Sequence, residues 1–200
     1  MRFIFILILA GQSASAATLC DVIKTPMRSD SDVSLAIKLL EDVKTGKEVA
    51  DALNEAVKTR DLKVREYTEQ IALLLDAPTS WRSLYSRKKA AAGIFLKFEE
   101  FGVSFVDLFH EAVHATDEEF EKNSRGATSK AHHQRTQFLS EKKAYGLQSQ
   151  FLKEVSEKHA CAKEYYKLQS EQGVVELSPG TDEAIIAAYG LNPDWALGKF

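Results

Sequence analysis

Residues 105–120 constrain this chain more than any other stretch. Phe105, Phe109, Ala112, Val113, Thr116 and Phe120 recur at helical spacing and form one apolar stripe, so the segment is expected to be a helix with that side buried. Beside it runs a second stripe of His110, His114 and Asp117, which burial of the first holds at the edge of a core. Residues four apart share a helix face, so His110 and His114 can direct two imidazoles at one metal ion, with Glu111 next to them. The plainer reading is a solvated helix face carrying two histidines. The apolar stripe argues against it, because histidines at a core's edge need partners.

His110-Glu111-Ala112-Val113-His114 resembles the His-Glu-x-x-His zinc metallopeptidases, the zincins. The resemblance implies that His110 and His114 ligate Zn²⁺ and that Glu111 is the general base. Zincins need a third protein ligand. Downstream, Glu141-Lys142-Lys143-Ala144-Tyr145 is similar to the Glu-x-x-Ala-Tyr arrangement of the gluzincin branch, where a glutamate on a second helix completes the site. Glu141, Tyr145, Gln148 and Leu152 share one helix face there, and Ala144 is small enough to let two helices approach. The metzincin pattern is absent, since neither its glycine nor its third histidine follows His114 at the required offsets. Asp117, one turn beyond His114, reads either as an outer hydrogen-bond partner of a ligand histidine or as one more acid in Asp117-Glu118-Glu119.

The chain begins with Arg2, an apolar run from Phe3 to Ala10, and Ala14-Ser15-Ala16. This is the pattern of a secretory signal peptide, residues 1–16, cut after Ala16 and too short to span a membrane. A lipid-attachment site at Cys20 is disfavoured by the bulk of Leu19 before it. Residues 17–200, in a chain that is 44% apolar, suffice for a single globular domain with a sizeable core. Removing the leader takes away only Arg2 among charged groups, so 26 basic side chains become 25 against 29 acidic ones, a net charge of −4. That balance gives no reason to expect nucleic acid or an anionic membrane as partner. In an oxidising compartment Cys20 and Cys161 are the one possible intramolecular pair; the alternative is two free thiols.

Periodicity predicts a mainly helical fold with at most a small β-sheet or hairpin. Ser29 to Asp32 caps a helix that ends near Gly46, a second runs from Lys47 to about Arg60, and a third from about Lys63 to Leu75, before Pro78. Thr79-Ser80-Trp81 resembles a cap, with Arg82 to Ala92 helical after it. Gly93 to Phe98 is the best strand candidate, though a buried helix remains open to it. In zincins a strand near the site often pairs with extended substrate. Residues 121–134 read as a mobile surface loop, in which His132 or His133 either reaches over the site or is simply solvated. A long helix is expected from Gln137 to about Gln172, with a break near Gly146, then a short helix from about Pro179 to Tyr189 and a tail that docks on the core through Trp195.

These readings lead to an exported protein, periplasmic or secreted, hydrolysing a peptide or protein substrate with zinc. The alternative is a secreted helical binding protein with a structural or vestigial metal site. An intact base at Glu111 and an open coordination position are what separate the two.

Overall fold

The computed structural model describes residues 17–88, 91–126, 128–175 and 181–199, so the expected signal peptide lies outside the described residues. Its central element is the helix expected around the histidine pair, α5 (Phe101–Thr116), which is buried from Phe101 to Ala115. Apolar residues occur all round it, not on one stripe alone, and such a helix is stable only when enclosed. It touches α1 (Leu19–Val22), α2 (Asp30–Leu40), α3 (Lys44–Arg60) and α7 (Lys130–Lys158), and on its remaining side the strands β2 (Ser83–Ser86) and β3 (Gly93–Leu96). As expected, the fold is mainly helical with one small sheet.

That sheet has the order β1-β3-β2, where β1 is Val64–Glu66. β1 is parallel to β3, with Val64 opposite Ile94, and β2 is antiparallel to it, with Ser83 opposite Leu96. The period-2 alternation of β3 serves two cores. Ile94 and Leu96 pack towards α5, while Phe95 turns to a smaller cluster of Tyr67, Ala72 and Leu75 under α4 (Glu69–Leu75).

Several expectations are corrected. The helix expected from Lys63 is β1 followed by α4, because pairing with β3 holds Val64 to Glu66 extended before Thr68 caps the new helix at Ile71 N. The helix expected from Arg82 is β2, drawn into the sheet by the other edge of β3. β3, the expected substrate-pairing strand, is central and has both edges occupied. Gly46 lies inside the first turn of α3 and ends no helix; a Cβ there would sit 2.2 Å from Leu40 O, so glycine is required for the approach. Residues 118–126 form a helix, α6 (Glu118–Gly126), and α7 starts at Lys130 with Ser129 as its cap, where a loop was expected. α7 runs unbroken through exposed Gly146. The break comes instead at His159, whose extended backbone separates α7 from α8 (Ala160–Glu171). A helix then follows at α9 (Asp182–Ala188), and the tail docks on α7 through α10 (Pro193–Ala196).

The first described residues lock the start of α5. Thr25 O and Ile23 O accept from Phe101 N and Gly102 N, so backbone carbonyls of the N-terminal arm satisfy donors that a helix start leaves unpaired. The arm is tied to α8 by a disulfide, Cys20–Cys161, with Cα atoms 5.8 Å apart across 141 residues of sequence. Closing so long a loop stabilises by up to about 5 kcal/mol in the chain-entropy account. Opposite the arm, Tyr165 donates to Glu100 Oε2 at 2.8 Å and Tyr166 to Gly102 O at 3.2 Å.

Gly102 is where the arm, α8 and α5 meet, and a Cβ there would lie 2.4 Å from Tyr165 Cε1 and 2.7 Å from Ile23 Cγ1. Alanine would gain up to about 1 kcal/mol of helix propensity, but overpacking costs about 1–3 kcal/mol. Gly102→Ala is therefore expected to be net destabilising, as read by a lowered urea midpoint at unchanged m-value. An unchanged or raised midpoint would contradict the packing described.

Candidate metal centre

α5 and α7 cross so that two histidines face one glutamate. His110 Nε2 and His114 Nε2 are 3.2 Å apart, and each is 3.3 Å from Glu141 Oε2. All three side chains are buried, and together they form a cluster that can hold a metal ion. The other imidazole nitrogens are occupied. His110 Nδ1 is 2.9 Å from Gln148 Oε1, and His114 Nδ1 is 2.8 Å from Ser140 Oγ. An amide oxygen only accepts, so Nδ1 of His110 donates, and its Nε2, turned towards Glu141 and His114, is the atom that can carry a proton or meet a cation.

The spacing suits a cation. Four donors about 2.0–2.1 Å from a tetrahedral ion lie about 3.3–3.4 Å from one another, close to the 3.2–3.3 Å edges of the triangle found here. Without a cation the cluster favours a proton on His110. Burial opposes a charged imidazole, but the hydrogen bond with Glu141 and the charges of Glu111 and Glu141 outweigh it and push His110 up to about 9. Burial likewise opposes the Glu141 carboxylate, yet the charge of His114 and the hydrogen bonds from both rings hold it well below the usual range.

Glu111 stands beside the triangle. Its Oε1 accepts from Ser83 Oγ at 2.7 Å, so β2 orients it. Burial raises its pKa against the opposing effects of both histidines and Ser83. The cluster opens into a cleft of about 650 Å³ whose walls include Trp81, Leu84, Tyr85, Val106, Phe120, Val174 and Tyr189. One wall is braced by Arg82, whose Nε and Nη2 meet both oxygens of Asp107 at 3.2 and 2.7 Å while Nη1 donates to Val174 O. Burial works against the guanidinium, and the charge and hydrogen bonds of Asp107 more than restore it.

Of the residues singled out in the sequence, His110, His114, Glu111 and Glu141 come together. Asp117 does not join them. Its Oδ1 accepts from Phe120 N at 3.1 Å, capping α6, and its Oδ2 pairs with Lys143 at 3.1 Å. The positions expected for it beside the rings belong to Gln148 and Ser140. His133 lines the cleft, whereas His132 Nδ1 turns back to Ser129 Oγ at 2.8 Å. His159 lies far along the chain against Asp42, 3.5 Å away, and Tyr165 and Tyr166 are packed in the core.

Ser83, Gln148, Ser140, Arg82, Asp107 and Tyr189 were not foreseen as parts of the site. Two carried a signal: Gln148 is seven residues from Glu141 on the same helix face, and Asp107 is an acid inside an apolar helix, which demands a partner. Ser83 and Tyr189 come from other elements, and no spacing links them to the motif.

Comparison with protein families, curated proteins and solved structures found no match to this chain.

Two measurements check this geometry. Because a metal must displace the proton that keeps His110 charged up to about 9, zinc affinity is expected to rise about tenfold per pH unit below that value and to level off above it. A flat profile from pH 6.5 to 9 in competition titrations would contradict a proton held on His110. Glu141→Ala is expected to lose more than about 100-fold in zinc affinity, beyond the loss typical of outer partners. Asp117→Ala, by contrast, costs about 0.5–2 kcal/mol of stability as a lost helix cap and leaves affinity within tenfold. The reverse order would place the third ligand on α5.

Proposed function

We propose that this chain is an exported zinc-dependent peptidase in which His110, His114 and Glu141 hold the ion and Glu111 is the general base. The observation that carries the reading is the convergence of two imidazole nitrogens and one carboxylate oxygen 3.2–3.3 Å from one another, beside a second carboxylate in an open cleft. Zinc bound there supplies a Lewis acid that acidifies water and polarises a carbonyl.

The protein's own groups do the rest. Ser83 fixes Oε1 of Glu111 and leaves Oε2 to take a proton from water and return it to the leaving amine. The raised pKa of Glu111 makes it a stronger base than an ordinary carboxylate, which suits it to accept that proton. An extended peptide is accepted along the outer edge of β2, which no other strand covers among the described residues and whose Ser83, Leu84 and Tyr85 line the cleft. Arg82, paired with Asp107, holds the Val174 backbone at the cleft wall.

The leader-like N-terminus and the Cys20–Cys161 bridge support export. No helix among the described residues is long and apolar enough to cross a membrane.

Glu111→Gln is expected to retain zinc and the fold and to lose hydrolysis of a quenched fluorescent peptide library by at least about 100-fold, the scale of general-base catalysis. Equal cleavage by the zinc-loaded variant would remove Glu111 from the role. Zinc retained by both proteins, with hydrolysis by neither, would favour the binding-protein alternative.

A further inference from the structure

β2 presents its edge, not a face, to the cleft. A strand that faced a cavity would line it with alternate side chains, whereas Trp81, Arg82, Ser83, Leu84 and Tyr85 line this one in unbroken succession. The pairing with β3 fixes which backbone groups that edge offers. Lys97 N donates to Arg82 O at 2.6 Å, and antiparallel partners alternate between bonded and non-bonded pairs, so Arg82, Leu84 and Ser86 direct their backbone groups to β3. Ile94 N and Leu96 O agree with this, since they bond on the other side, to Lys63 O and Tyr67 N. Ser83 and Tyr85 therefore turn their backbone donors and acceptors outward, to the edge that no other strand covers among the described residues.

The two residues have different surroundings. Ser83 stands at the base, its Oγ donating to Glu111 Oε1 at 2.7 Å. Tyr85 follows one strand repeat later, about 7 Å along and on the same face. Its side chain lines the cleft together with that of Phe120 from α6. One guanidinium joins these rings: Arg87 Cζ lies 5.3 Å from the Tyr85 centroid and 4.7 Å from that of Phe120, in cation–π range of both, and Arg87 Nε donates to the Tyr85 hydroxyl at 3.2 Å. Phe120 also stands 6.2 Å from the ring of His114. An aromatic wall, tied from β2 across to α6, thus begins beside the metal triangle.

A peptide bonded along that edge sets two of its residues opposite Ser83 and Tyr85, and residues directly opposite one another point to the same face. The one opposite Tyr85 lies two positions from the one beside Glu111, and its side chain meets the Tyr85 and Phe120 rings. We propose that this wall selects the substrate: an extended peptide held by the backbone of Ser83 and Tyr85, with a large apolar or aromatic side chain at the position facing Tyr85 and Phe120. Lysine and arginine are disfavoured there, because Arg87 already supplies a positive charge. The proposal rests on the peptidase reading above and adds the substrate class.

The test uses the full disulfide-bonded chain loaded with zinc and a quenched fluorescent peptide library with blocked termini, varied one position at a time. At one position near the cut, native protein is expected to favour phenylalanine, tyrosine or leucine over alanine by at least about tenfold in kcat/KM, the scale on which apolar pockets discriminate. Phe120→Ala is expected to lower the phenylalanine-to-alanine ratio at that position by at least about fivefold, and Tyr85→Phe, which keeps the ring, to retain it. Each ratio is taken within one protein, so partial loss of folded molecules does not move it. Binding of the same peptides to zinc-loaded Glu111→Gln, read by fluorescence anisotropy, separates the two readings. An apolar preference in binding, with no cleavage by the native chain, would overturn the peptidase reading and support the wall. Cleavage without an apolar preference, a preference for acidic or basic side chains, or a ratio unmoved by Phe120→Ala would overturn the wall alone. Neither cleavage nor binding would overturn both.

Discussion

Everything in this protein depends on one helix that is enclosed on every side and yet carries a stripe of polar groups. Ser104, Asp107, His110, Glu111 and His114 of α5, with Asp117 just past its end, are all buried. A buried polar group without a partner costs about 1–3 kcal/mol, so each must be met by another element. Ser104 bonds to Lys97 O and Glu99 N, Asp107 meets Arg82, and Glu111 meets Ser83. His110, His114 and Asp117 are answered from α7. Among the described residues no buried side-chain nitrogen or oxygen is left without a partner. The stripe therefore fixes where β2 and α7 lie relative to α5, and with them the walls of the cleft.

The same constraint explains why the cluster can hold a metal ion. Two imidazoles and a carboxylate confined at 3.2–3.3 Å cannot all act as acceptors towards one another, and Gln148 fixes which nitrogen of His110 faces the other two groups. A proton satisfies part of this arrangement and a divalent cation satisfies more, because one ion accepts three lone pairs together. The Arg82–Asp107 pair, by contrast, is complete in itself: both carboxylate oxygens are engaged, which suits a brace rather than a reacting group.

Both ends of the described chain are committed to this assembly by different means. The N-terminal arm is bonded to the start of α5 through its backbone and tied to α8 by the disulfide. The C-terminal segment is held on α7 by a small apolar cluster and closes one wall of the cleft. One end steadies the ligand-bearing helix, and the other contributes side chains to the site that this helix presents.

The sequence by itself determined what is local. Helical periodicity from Phe105 to Thr116 fixed α5, the four-residue spacing of His110 and His114 fixed a shared face, and the short apolar run at Ile94 favoured a strand without excluding a buried helix. The shared face of Glu141 and Gln148 was legible for the same reason, since it depends only on 3.6 residues per turn. Two cysteines left one intramolecular pairing, and the chain adopts it. Tertiary structure decided whatever depends on partners distant in sequence. Val64 to Glu66 and Ser83 to Ser86 are too short to declare themselves and become strands only because β3 offers two edges. Asp117 stands on the histidine stripe, yet the turn into α6 and Lys143 draw it away. Gln148 and Ser140 take its place because α7 crosses α5 at that height, and Tyr189 reaches the cleft only after α9 has docked on α7. Spacing along one helix fixes directions from that helix, whereas the distance to another is set by packing, which no local pattern encodes.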